Sequence, residues 1–96
     1  MGRDDVVQKL AARKEALAAM GVRSLSVFGS VARDEATAES DVDILVDFGG
    51  PASFDAYMDL KFYLEELLGA RVDLVTERGL KPRVRPYVQQ DAIRVA

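Results

Sequence analysis

Ser24-Leu25-Ser26-Val27-Phe28-Gly29-Ser30, followed closely by Asp41-Val42-Asp43-Ile44-Leu45-Val46-Asp47-Phe48, is the stretch that decides the fold. Polar and apolar residues alternate from Ser24 to Phe28, as in a half-buried strand, and Gly29-Ser30 breaks that strand. Residues 31–35 are predicted as a short helical turn. Asp41 to Phe48 is the clearest strand in the chain. Val42, Ile44, Val46 and Phe48 point to one face, and Asp41, Asp43, Leu45 and Asp47 to the other. Gly49-Gly50-Pro51 ends it.

Outward from these strands the pattern turns helical. Upstream, Asp4 or Asp5 is positioned to cap a helix running to about Met20, with Val6, Val7, Leu10, Ala11, Leu17 and Ala18 as its apolar stripe. Lys14 interrupts that stripe and has to reach past it to water. Gly21 is the expected stop. Downstream, Ser53 is the expected cap of a second long helix that carries Phe54, Tyr57, Leu60, Leu64, Leu67 and Leu68 on one side and closes at Gly69. Arg71 to Val75 reads as a third strand. In the tail, Pro82 suits a helix start, Pro86 would kink that helix, and residues 93–95 suit a short edge strand. The order helix, strand, turn, strand, helix, strand, helix predicts an α/β (α+β) chain with a small mixed β-sheet packed with helices. Residues 1–96 are expected to form a single domain.

Composition removes several chemistries. Cys and His are both absent. Thiolate or imidazole metal sites, cysteine nucleophiles and Ser-His-Asp triads are therefore excluded, and any metal has to be held by oxygen, which favours magnesium. A net charge of −3 argues against direct nucleic-acid binding. From Asp34 to Leu60 there are eight acids and no Lys or Arg, whereas six basic residues and three acids follow from Arg71 onward. Such blocks are either two solvated faces or a cation site beside an anion-facing surface. No apolar run reaches the roughly 20 residues needed to cross a bilayer. With no signal-peptide core either, the expected location is cytoplasmic, with no membrane association.

Three features carry chemistry jointly. Gly29-Ser30 after a strand lets the backbone turn tightly and lets an anion approach, although a Gly-Ser pair by itself is usually only a turn. Asp41 and Asp43, at i and i+2 of a strand, share a face and repel each other, a cost that a divalent cation removes. An EF-hand loop starting at Asp41 fails, because its sixth position is Val46 and its twelfth Ala52. Asp73 lies inside the apolar segment Arg71-Val72-Asp73-Leu74-Val75 and needs a partner or a solvated face. If its strand lies beside that of Asp41 and Asp43, three carboxylates converge, as a magnesium site for phosphoryl or nucleotidyl transfer requires.

The segment Ser26-Val27-Phe28-Gly29-Ser30-Val31-Ala32-Arg33, followed after Ser40 by Asp41-Val42-Asp43-Ile44-Leu45-Val46, resembles the signature of the DNA polymerase beta nucleotidyltransferase superfamily: Gly-Ser, about ten residues, Asp-x-Asp, and a third Asp on a later strand. The chain's length and its Gly-Ser-x-Ala-Arg form resemble the minimal nucleotidyltransferases, the antitoxins of two-gene modules whose partner is a helical HEPN ribonuclease toxin. The resemblance covers Asp4 to about Val95 and implies the nucleotidyltransferase fold. It further implies transfer of AMP from ATP to a hydroxyl of the toxin, a tyrosine in the family. It assigns Asp41, Asp43 and Asp73 to catalysis and to two magnesium ions. It assigns Gly29, Ser30, Arg33 and Ser40 to the nucleotide, with Arg33 either near the phosphates or bracing the loop. Two other readings remain open: an antitoxin that neutralises by binding alone, and a small-molecule nucleotidyltransferase.

Overall fold

A computed structural model describes residues 2–37 and 39–96. Nine elements follow in order: α1 (Arg3–Ala11), α2 (Lys14–Ala19), β1 (Ser24–Phe28), α3 (Gly29–Ala32), β2 (Val42–Asp47), α4 (Phe54–Leu68), β3 (Val72–Thr76), α5 (Arg85–Asp91) and β4 (Ile93–Arg94). The strands form one mixed sheet in the order β3-β2-β1-β4. β1 pairs antiparallel with β2, setting Val27 opposite Ile44 and Phe28 opposite Asp43. It also pairs antiparallel with β4. β2 and β3 are parallel, with α4 as their crossover, and Asp43 is in register with Asp73.

The alternation in the strands sorts the side chains onto two unequal faces. Val27, Ile44, Val46 and Leu74 join Leu10, Leu17, Leu60 and Leu64 in the main core. Each fully buried Leu or Ile there contributes about 1.5–3 kcal/mol relative to exposure. On the opposite face Leu45 makes a smaller cluster with Leu80 and with Val88 of α5, against which Phe28 and Val75 pack. The helices therefore cover both faces, but the second face is covered only in part.

Local signals hold in several places. The Ser53 hydroxyl accepts from the Ala56 N–H at 3.0 Å, Gly69 ends α4 in the left-handed conformation, and Gly21 has φ +88°. Elsewhere tertiary packing differs from the simple pattern. The first helix is two, α1 and α2, parted at Ala12–Arg13, with Gly2 rather than Asp4 or Asp5 at its N-cap. An unbroken helix would carry Lys14 along the stripe of Val6 and Leu10. The break leaves Lys14, like Ala11 and Ala18, exposed while Leu17 still reaches the core. Phe54, expected on the buried side of α4, is 75% exposed and lines an open groove instead of entering the core. Pro86 does not kink the last helix: it lies in the first turn of α5, where its missing N–H costs nothing. α4 also leans over the outer strand β3, where the Glu65 carboxylate accepts from the Val72 N–H (3.0 Å) and the Tyr57 hydroxyl donates to the Leu74 carbonyl (2.5 Å).

Candidate active site

β2 and β3 run parallel and in register, so Asp43 and Asp73 stand side by side on the less covered face of the sheet. Asp43 is half-buried and Asp73 exposed. Burial pushes the Asp43 carboxyl above the usual carboxylate range, the charges of Asp73 and Asp41 push it further, and the Arg33 guanidinium pulls it partly back. Asp41 precedes β2, and its carboxylate pairs with Arg71 at 3.2 Å. Three converging carboxylates are therefore not what the structure shows. Among the described residues no group of three or more is gathered closely enough to hold an ion, because Asp41 is drawn toward Arg71. The donor set nevertheless suits a hard divalent cation. It consists of carboxylate oxygens, two of them adjacent in register, and their mutual repulsion at Asp43 is the kind of cost a cation relieves.

Gly29 opens α3 directly after β1 with φ +72°. A Cβ built there would overlap the Asp43 carboxyl, so glycine is required twice, once by the dihedral and once by the close approach of β2. Ser30 is half-buried beside it, and its carbonyl accepts from the Glu35 N–H at 2.8 Å. Arg33 closes this short helix. Its guanidinium donates to Asp91 at 2.6 Å and lies 3.5 Å from Glu35. The Asp91 hydrogen bond, the largest influence on it, raises the Arg33 pKa further. Of the two roles considered for Arg33, this geometry is that of a brace between α3 and α5. Ser40 is engaged locally: its hydroxyl accepts from the Thr37 N–H at 3.0 Å and lies 3.2 Å from the Thr37 hydroxyl. It shapes the approach to β2.

Sequence reasoning did not find the wall on one side of this site. α5 lies over the second face through Val88, and its last residue, Asp91, holds Arg33. The sequence order does end in a helix, started from Pro82; what it did not give is that this helix lies over the second face or that Asp91, one acid in a polar tail, holds Arg33. At the other end of β2 and β3 an open groove of about 620 Å³ is lined by Phe48, Pro51, Phe54, Tyr57, Thr76 and Arg78, among others. None of the residues singled out from the sequence for catalysis or nucleotide binding lines it.

Residues 8–95 match the family model described as the nucleotidyltransferase domain. Over 83 residues the chain is 46% identical to the protein adenylyltransferase MntA of Thermococcus cleftensis, covering 86% of this chain and 84% of that protein. A solved structure assigned as a minimal nucleotidyltransferase is 43% identical and superimposes with a TM-score of 0.84, over 97% of this chain and 95% of its own. A chain from the structure of the tri-AMPylated Shewanella oneidensis HEPN toxin in complex with MNT antitoxin is 20% identical, with a TM-score of 0.69 over 94% of this chain and 71% of that one. At that identity the likeness is one of fold.

Proposed function

The chain belongs to the nucleotidyltransferase domain family, and from that membership we propose that it is an antitoxin that transfers AMP from ATP to a hydroxyl, a tyrosine's in our reading, of a helical HEPN-type toxin. The observation that carries this reading is the register of Asp43 against Asp73 beneath the Gly29–Ser30 turn. A site for binding alone has no need of two like charges held together, one of them partly desolvated.

In this reading the residues divide the work. The Gly29 turn brings the triphosphate close to the carboxylates, and the Ser30 hydroxyl donates to a phosphate oxygen. The Arg33–Asp91 pair keeps α3, and with it the turn, fixed against α5. Asp41, Asp43 and Asp73 would hold magnesium, which neutralises the triphosphate and the pyrophosphate leaving group. The toxin hydroxyl attacks the α-phosphorus, the bond to pyrophosphate breaks, and Asp73, exposed at the rim, accepts the hydroxyl proton. The second face is only partly covered, so the acceptor protein completes the enclosure. The pair works in the cytoplasm in this account. Among the described residues no helix is long and apolar enough to cross a membrane.

The test is a purified chain, its toxin and magnesium-ATP, with the toxin mass followed. Wild type adds AMP to the toxin. Asp41→Asn combined with Asp43→Asn keeps its melting transition and loses transfer by a factor of at least about 100, the scale of removing a catalytic electrostatic group. A wild-type chain that silences the toxin without adding AMP to it would establish neutralisation by contact and remove the enzymatic reading.

A further inference from the structure

We propose that the open groove at the far end of β2 and β3 is where the toxin anchors, taking an apolar or aromatic side chain of a toxin helix whose neighbouring carboxylates face Arg78, an inference that rests on the antitoxin reading above. The groove of about 620 Å³ has the size of sites that bury a drug-sized body, roughly 300–1,000 Å³. Its walls are the loop after β2, the first turn of α4 and the turn after β3. Phe48 and Tyr57 are partly buried and packed against the main core, so they give it a fixed apolar floor. Phe54 lines it without entering that core. Gly50, on the loop side, leaves the groove open: a Cβ built there would meet nothing within 4 Å. Large aromatic side chains around an unfilled space are the usual anchors of a protein interface.

Charge at the rim selects the occupant. Of the two acids that line the groove, Glu77 is tied to Arg85, and the Asp47 carboxylate accepts from the Gly49 N–H at 2.7 Å. Arg78 also lines it, is exposed, and makes no ion pair with any described residue. Lys81 and Arg83 are exposed in the same turn, whereas the α4 side carries Asp55. A helix with an apolar residue at its centre and carboxylates along one flank therefore fits in one orientation, its acids toward Arg78 and away from Asp55. Phe48 is five residues beyond Asp43, roughly 17 Å along the strand direction. The segment anchored here is thus separate from the one that presents the hydroxyl, and the groove contributes to holding the toxin rather than to the chemical step.

Calorimetry with the purified toxin in the absence of nucleotide, and separately with magnesium-ATP, on wild type, Phe54→Ser and Arg78→Glu, tests the assignment. Both substitutions fall on exposed side chains, so the fold is kept. The expected result is that each variant weakens toxin binding about 10-fold or more and leaves magnesium-ATP affinity unchanged. In the transfer assay each should raise KM for the toxin and keep kcat. Toxin affinity equal to wild type in both variants overturns the docking site. So does a loss of magnesium-ATP binding in Phe54→Ser, which would assign the groove to the nucleotide. A wild-type chain that self-associates in sedimentation, with Phe54→Ser monomeric, would assign the groove to a second copy and overturns it too. Toxin binding that depends on Phe54 and Arg78 in a wild-type chain that adds no AMP upholds the docking site and removes only the enzymatic reading.

Discussion

At Asp43, burial and two neighbouring carboxylates act in the same direction, and each raises the affinity of the side chain for a proton. The native chain holds that proton more tightly than the unfolded chain does. The stability of the metal-free protein therefore falls as pH rises from the ordinary carboxylate range through the raised Asp43 value, while below that range both states are protonated and nothing is lost. Asp43→Asn keeps the shape and removes the ionisation. In chelator, the variant should melt above wild type at neutral pH and lack the decline in that window. Thermal melts across the acid-to-neutral range check this, and matching pH profiles for the two proteins would contradict it. The position of Gly29 directly after β1 and of Asp43 beside Asp73 was legible in sequence, because strand ends and the two-residue strand period fix both; the expected convergence of Asp41 with them was not, because it depends on the Arg71 pair. The overlap of a Gly29 side chain with Asp43 was not, since it depends on how closely β2 passes β1.

Among the elements, α4 shows what a local pattern can settle. Ser53 caps it, Gly69 stops it, and Leu60, Leu64 and Leu68 line its buried side. All three are decided within a few residues of chain. Ser53→Ala removes the acceptor for the Ala56 N–H and should cost about 1 kcal/mol, lowering the melting temperature by about 5 °C. Chemical denaturation measures it, and an unchanged midpoint would mean that water replaces the cap. The parting of α1 from α2 and the start of α5 at Arg85 were not legible in the same way. An apolar stripe is equally compatible with one helix or two, and Pro86 with a kink or a first turn. Packing against the sheet decides both, through Leu17 in one case and Val88 in the other.

Across the whole molecule, charge is unevenly laid out. Arg85 is tied to Glu77, whereas Arg78, Lys81 and Arg83 are exposed in the turn between β3 and α5. A basic surface at the end of the strands away from Asp43 and Asp73 would steer an acidic partner through long-range attraction. Lys81→Glu with Arg83→Glu should slow association with the toxin by about 10-fold at low salt and leave ATP affinity unchanged. The wild-type rate should fall as salt rises, because exposed charges are screened beyond about 10 Å at 0.1 M. Stopped-flow association measured over a range of salt checks both statements, and rates insensitive to salt and to the reversal would leave only a solvated face.

The leaning of α4 over β3 has a consequence for how any other protein can meet this one. An outermost strand ordinarily offers its free amides and carbonyls to a strand from another chain, the route to domain swapping and to fibrillar aggregation. Here the Val72 amide is taken by a carboxylate and the Leu74 carbonyl by a phenol, both from a helix of the same chain. A visiting strand would have to break both bonds and pair against a charged side chain. This edge resists strand addition, and a partner that meets the protein at β3 has to dock there by side chains, as an all-helical protein does.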